Sequence, residues 1–229
     1  MLRVGLTGGL GSGKSTAAHL FAQHGAYLLE SDAIGREMMQ PGEAVYAAIV
    51  EHFGPAVFGS TAPAEGRQLD RAALAHIAFT EGRVEELNAI VHPAVIARQA
   101  ELAETIFASD PRAIVIVESA LIFETRHAEG KNGESAPWRD RFDCILLVTA
   151  PEEIKIERYL QRIAAGVPLT PERRAELTAD ARRRLRQQIP DERKAELSDF
   201  VFVNDGSIAE LEEQVDELWP VLRFASVNT

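Results

Sequence analysis

The run Gly8-Gly9-Leu10-Gly11-Ser12-Gly13-Lys14-Ser15 constrains this chain more than any other stretch, because it completes the spacing G-x-x-x-x-G-K-S/T directly after an apolar segment. Leu2 to Thr7, with Val4 and Leu6 at its centre, reads as a short buried strand, and Thr16 to Phe21 reads as a helix. Glycines in such a loop let backbone N–H groups turn toward phosphate oxygens, and the following helix points its partially positive end at the same anion. In that geometry Lys14 reaches the β- and γ-phosphates while the Ser15 hydroxyl binds Mg²⁺. Strand, loop and helix in this order predict a nucleotide site rather than a chance glycine-rich turn.

A length of 229 residues favours one α/β domain with helical additions over two independent domains. The formal charge of −11 argues against an extended nucleic-acid surface, so a polyphosphate has to be held by local positive charge. Cys144 is the only cysteine, which rules out an intrachain disulfide, and its apolar surroundings predict a buried thiol. No apolar run approaches the ~20 residues of a membrane span. The start of the chain enters the phosphate loop too early for a signal peptide, and a cytoplasmic location without membrane partners is expected. None of the six histidines has a metal-ligand spacing, so the metal expected is Mg²⁺ arriving with ATP.

Further strands are expected at Tyr27–Glu30, Ala113–Glu118, Asp143–Thr149 and Phe200–Asn204. Ile114 to Val117 and Ile145 to Val148 are continuously apolar, the pattern of parallel strands buried on both faces. Thr149 with Glu152 around Pro151, and Ser207 with Glu210, have capping-box spacing, and Thr170-Pro171 offers a cap with a first-turn proline. Leu211, Val215, Leu218 and Leu222 share one face of a last helix that should pack on the sheet. Residues 32–110 show helical periodicity, punctuated at Pro41-Gly42 and between Gly54 and Gly66, and are too long for a simple crossover. They read as a helical insertion able to cover a substrate. A second insertion, 163–190, carries Arg173, Arg174, Arg182, Arg183, Arg184 and Arg186; it is either a solvated helical hairpin or a lid over phosphate. The polar stretch 127–140 reads as a surface loop.

A motor or ring ATPase would place an acidic pair after an apolar strand, whereas here the strands end in Glu118-Ser119 and Thr149-Ala150. Asn204-Asp205-Gly206 is not the base-reading Asn-Lys-x-Asp of a GTPase. A small kinase remains, in which a hydroxyl of a second substrate attacks the γ-phosphate. The chain resembles the dephospho-CoA kinase family from about residue 3 to 222. The resemblance rests on Leu6 to Thr16, Ser31 to Arg36, Pro41-Gly42, Phe53-Gly54, Leu69-Asp70-Arg71 with Leu74 and Phe79, and Leu87 through Ile90-Val91-His92-Pro93. Leu121-Ile122-Phe123-Glu124, Arg158 with Arg162, Gln188, Lys194 and Asp199 to Gly206 complete it. It departs from the family at Glu30-Ser31-Asp32, where Asp-Ala-Asp is usual, and at Ala120, where proline is usual.

The resemblance implies a three-layer phosphate-loop kinase fold with a parallel five-stranded sheet. The nucleotide-binding core would be 1–31, 111–162 and 191–229, the acceptor-side helical insertion 32–110 and the lid 163–190. It also implies transfer of the ATP γ-phosphate to the ribose 3′-hydroxyl of dephospho-CoA; a shikimate-type kinase or a nucleotide switch without acceptor are the alternatives. Lys14, Asp32 and Arg158 would be catalytic. Leu10, Gly11, Ser12, Gly13, Lys14, Ser15, Thr16, Arg162, Asn204 and Gly206 would bind ATP, and Ser15 and Asp32 the Mg²⁺. Thr7, Asp32, Arg36, His92, Pro93 and Leu121 would bind the acceptor. Each assignment has a plainer rival. Asp32 could be only an N-cap. Glu30, read as lying on the same strand face two residues earlier, could back the metal or be a strand-end charge. Arg158 and Arg162 share a helix face and either clamp phosphate or pair with Glu153 and Glu157. His92-Pro93 either contacts the acceptor or marks a helix boundary. Asn204 to Gly206 combine a turn and cap at Ser207 with a backbone approach to adenine.

Overall fold

The computed structural model describes residues 1–59, 67–124 and 138–228. In chain order the strands are β1 (Leu2–Thr7), β2 (Tyr27–Glu30), β3 (Ile114–Glu118), β4 (Cys144–Thr149) and β5 (Phe200–Val203). The α-helices are α1 (Lys14–Gln23), α2 (Ser31–Met38), α3 (Ala44–Phe53), α4 (Arg71–Ala75), α5 (Val84–Ser109), α6 (Glu152–Ala164), α7 (Pro171–Gln187), α8 (Asp191–Leu197) and α9 (Ile208–Asn228). All five expected strands form, each within one residue of its expected ends.

The strands assemble into one sheet in the order β2-β3-β1-β4-β5. β1 pairs in parallel with β3 and β4, and β4 in parallel with β5. Leu6 stands opposite both Glu118 and Leu146, so the carboxyl end of β1 feeds its loop out between the ends of β3 and β4.

The continuous apolar runs are divided by the two-residue period of the strand into two buried faces. On one face Val4, Leu6, Ile114, Ile116, Leu146, Val148 and Phe202 pack against Phe21 of α1 and against Leu211, Val215, Leu218 and Leu222 of α9, as the leucine spacing of that last helix requires. Phe21 is fully buried and stacks on Phe202 at 6.1 Å. On the other face Ile145 joins Ile122 and Trp138. Trp138 is buried, which corrects the surface reading for the end of the 127–140 stretch; residues 127–137 lie outside the described residues.

Two of the three expected caps form. The Ser207 N–H donates to Glu210 Oε2 at 2.6 Å while Ser207 Oγ accepts from the Glu210 N–H at 3.3 Å, a complete capping box. Thr170 Oγ1 accepts from the Arg173 N–H at 3.3 Å. The third fails: α6 starts from Pro151 without a side-chain cap, because the Thr149 hydroxyl donates to Asp191 instead.

Two compact units divide the chain, Met1–Leu29 with Thr105–Thr229, and Glu30–Glu104. The second has its own core of Val45, Ile49, Phe53, Val57, Phe58, Leu74 and Ile77. Asp70 Oδ1 caps α4 through the N–H groups of Ala72 and Ala73 at 2.8 and 3.1 Å. Residues 54–58, expected as loop, form a 3₁₀ helix whose Val57 and Phe58 fill that core; 60–66 lie outside the described residues.

Candidate active site

α1 begins at Lys14 with Gly13 before it, no side-chain cap, and no acidic residue in its first turn. A helix start without a side-chain cap or an acidic residue in its first turn leaves its positive dipole end suited to an anion. Gly11 and Gly13 adopt φ of 71° and 93°. A Cβ at Gly11 would sit 2.2 Å from the Lys155 carbonyl oxygen, and one at Gly13 2.1 Å from Asn204 Nδ2, so conformation and space both demand glycine there. The side chain of Leu10 packs on the cluster formed by Ile156, Tyr159 and Leu160 of α6 with Leu177 and Ala181 of α7.

Lys14 Nζ lies 2.8 Å from Glu118 Oε1, and the Ser15 hydroxyl donates to the same oxygen at 3.1 Å. Glu118 is only 6 % exposed. The sequence does not single out this carboxylate, because it is one acid at the end of an apolar run and not an acidic pair. The position becomes meaningful only once β3 is known to lie beside β1. Thr7 Oγ1 and Ser12 Oγ are buried without a hydrogen-bond partner among the described residues. Unpaired buried hydroxyls are costly and point to a bound polar group that is not a side chain. Among these residues the loop and Lys14 could hold a polyphosphate, and Ser15, backed by Glu118, could hold a divalent cation.

Arg158 Nη1 donates to the Asn204 carbonyl at 2.8 Å and Nη2 to Asn204 Oδ1 at 3.3 Å, while Asn204 Nδ2 donates to the Ser12 carbonyl at 2.8 Å. Arg158 is therefore tied to the phosphate loop through a buried asparagine. Arg162, one turn on, is exposed with its guanidinium 5.8 Å from the Tyr159 ring centre, so helical spacing alone does not bring the two arginines to one partner. Nor do they form the expected surface pairs: Glu157 pairs with Arg174. A Cβ at Gly206 would fall 1.6 Å from Glu210 Oε2, so the capping box accounts for that glycine.

On α7, Arg173 pairs with Glu176, Arg182 with Glu152, and Arg183 and Arg184 with Asp180. These arginines are half or more exposed, which is the solvated-helix reading. Asp180 also accepts from the Tyr159 hydroxyl at 2.7 Å and so fastens α7 to α6. Burial pushes the Asp180 carboxyl upward, but Tyr159, Arg184 and Arg183 outweigh it and hold the group below its ordinary value. Cys144, expected to be buried, is half-buried, and desolvation still pushes its thiol up, to about 12, with help from Asp199 and Asp143.

In the other unit, the residue at the N-cap of α2 is Glu30, and Asp32 lies inside its first turn. Asp32 is therefore not a cap, and because the strand stops at Glu30 the two carboxylates do not share a strand face. Asp32 and Arg36 are exposed. His92 and Pro93 lie inside the 26-residue helix α5, which removes the helix-boundary reading. Leu121 follows β3 in the first unit, half-buried, its N–H donating to Ser119 Oγ at 3.2 Å.

A parallel sheet with a phosphate loop after its central strand, and a lysine and serine held by a carboxylate from the neighbouring strand, define a nucleotide-binding protein of the phosphate-loop kinase type. The dephospho-CoA kinase family model matches residues 2–210. The dephospho-CoA kinase of Thermobifida fusca is 36 % identical over 224 residues, covering 97 % of both chains, and that of Streptomyces avermitilis 38 % identical over 220, covering 96 % of this chain and 93 % of its own. The chain belongs to the dephospho-CoA kinase family. Among solved structures, TT1252 of Thermus thermophilus superimposes with a TM-score of 0.66 at 31 % identity, covering 96 % of this chain and 97 % of its own. Dephospho-CoA kinase of Campylobacter jejuni shares the fold at a TM-score of 0.56 and 18 % identity, covering 96 % of each chain. No helix among the described residues is long and apolar enough to cross a membrane.

Proposed function

We propose that this chain uses MgATP to phosphorylate the ribose 3′-hydroxyl of dephospho-CoA, giving coenzyme A and ADP. The observation that supports it most is the intact phosphate loop, with Lys14 and Ser15 converging on Glu118, inside a chain matched by the family model over residues 2–210. The free pairing of Lys14 with Glu118 keeps the ammonium ordered at the helix start. Lys14 would pair with phosphate oxygens entering the loop, and Ser15, its hydroxyl held by Glu118, would hold the Mg²⁺. When bound, Mg²⁺ would supply charge neutralisation to the polyphosphate. Arg158 adds a planar cation to the loop side of the site, steadied by Asn204. Leu10 to Thr16 bind the phosphates through backbone N–H groups and side chains; the family resemblance assigns Asp32 to the acceptor hydroxyl or a metal ligand, and Arg36, His92, Pro93, Thr7 and Leu121 to the acceptor.

Catalysis on this reading is positioning and charge stabilisation, since phosphoryl transfer asks for little covalent chemistry from the protein. ADP release measured with dephospho-CoA, shikimate, adenosine and water as acceptors tests it. Dephospho-CoA should give the fastest turnover; equal rates with water alone would overturn the proposal, and a faster rate with shikimate would replace the substrate.

A further inference from the structure

Lys194 of α8 has no exposed surface, and its Nζ lies 2.9 Å from Glu124 Oε1 and 3.5 Å from the Ala120 carbonyl. The same Glu124 oxygen accepts the backbone N–H of Ile189 at 3.3 Å. Ile189 lies in the break between α7 and α8 and is followed by Pro190, which has no N–H and fits poorly inside a helix. Glu124 thus captures a donor left over by the break and ties it to a buried ammonium. A buried ion pair is a poor source of stability compared with apolar side chains of similar volume, so its value here is better sought in the position it enforces.

That position is the outer face of the phosphate loop. A Cβ at Gly9 would lie 3.2 Å from Gln188 Oε1, 3.6 Å from Leu185 Cδ2 and 3.7 Å from Asp191 Oδ1. Asp191 in turn accepts from the Thr149 hydroxyl and from the buried Lys155 ammonium, and the Lys155 carbonyl lies against Gly11. Gln188 and Asp191 also border an open cleft of about 460 Å³, so only part of the junction is backed by protein. Glu124 stands on the same segment as Glu118, a few residues beyond the end of β3. One stretch of chain therefore grips the loop twice, through Glu118 on Lys14 and Ser15, and through Glu124 on the junction that backs Gly9.

We infer that Glu124 and Lys194 form a positioning pair that holds residues 188–191 against the phosphate loop and so sets the affinity for nucleotide without touching it. The inference rests on the nucleotide-site reading above but not on the identity of the acceptor. ADP binding by calorimetry and steady-state kinetics on the full chain test it, at a temperature where circular dichroism shows each variant folded. Lys194→Met removes the ammonium and should weaken ADP binding about tenfold and raise the KM for ATP in parallel, with kcat at saturation within about threefold. Lys194→Met combined with Glu124→Gln removes both charges but keeps an acceptor for the Ile189 N–H, and should recover affinity to within about threefold. Gln188→Ala, at the partly exposed end of the same brace, should weaken ADP binding about threefold and carries the test should Lys194→Met fail to fold. Wild-type protein that binds no ADP would defeat the nucleotide-site reading itself. Wild-type binding with unchanged affinity in the folded variants, a loss in kcat alone, or no recovery in the double variant would overturn the positioning pair.

Discussion

Two regions carry this chain's positive charge in opposite ways. Around the phosphate loop, Lys14 is paired with the buried Glu118 and Arg158 of α6 is tied to the buried Asn204. Helix α7 has Arg173, Arg174, Arg182, Arg183, Arg184 and Arg186, and the first five pair at the surface with Glu and Asp side chains. Exposed pairs of this kind contribute about 0–1 kcal/mol each, screened by salt. A charge held beside a buried partner is ordered before the ligand arrives and meets it with little reorganisation. Charge density along a sequence therefore locates solvated surface more readily than it locates chemistry.

The contrast makes its strongest demand at Lys14. Lys14→Ala should lower kcat/KM on the order of 10²-fold or more while leaving the far-UV circular dichroism unchanged, because the side chain stands partly exposed at the loop and outside the apolar core; near-normal turnover would break the comparison. Asp32→Asn should lower kcat by a similar ~10²-fold with almost no change in Tm, since Glu30 and not Asp32 stands at the start of α2. Unchanged turnover in that variant would move suspicion to Glu30.

Arg158→Lys should follow with a loss of roughly tenfold, because the fork that spans Asn204 O and Oδ1 is lost although the charge stays. Arg162→Lys, read in the same assay, should change turnover less than about threefold if the exposed setting persists in the working enzyme; a larger loss would mean that Arg162 swings to the phosphates on binding.

The smallest effects belong to α7. Arg183→Ala should cost under about 1 kcal/mol, a fall in Tm of no more than about 2–4 °C, and that loss should shrink in high salt. Asp180 is the acid-sensitive point of the same helix. Its folded-state pKa lies below the ordinary value of 3.8, so its contribution is intact above that value and disappears as pH falls through the lower folded value. Melting curves across that window should converge for the wild type and Asp180→Asn at the acid end and separate above pH 5; parallel curves throughout would remove Asp180 as the fastening point.

The sheet was legible because its strands are continuous apolar runs of strand length, and the loop because its spacing is dense in constraints. The C-terminal helix was legible from Leu211, Val215, Leu218 and Leu222, which fall on one face in the right period. Features that depend on which strands become neighbours were not. Glu118 looked like an isolated strand-end acid until β3 came to lie beside β1. Thr149 had the spacing of a cap, but a carboxylate from residue 191 competed for its hydroxyl and won. Arg158 and Arg162 share a helix face, yet a buried asparagine 46 residues away captures only the first.

The central claim is that phosphate leaves ATP for one particular hydroxyl, and ³¹P NMR of a reaction containing MgATP and dephospho-CoA tests it most directly. Loss of the ATP γ resonance should be matched by a new phosphomonoester resonance coupled to the ribose 3′ proton, with little inorganic phosphate. A γ resonance that decays only into inorganic phosphate, or a monoester at any other position, would contradict the account.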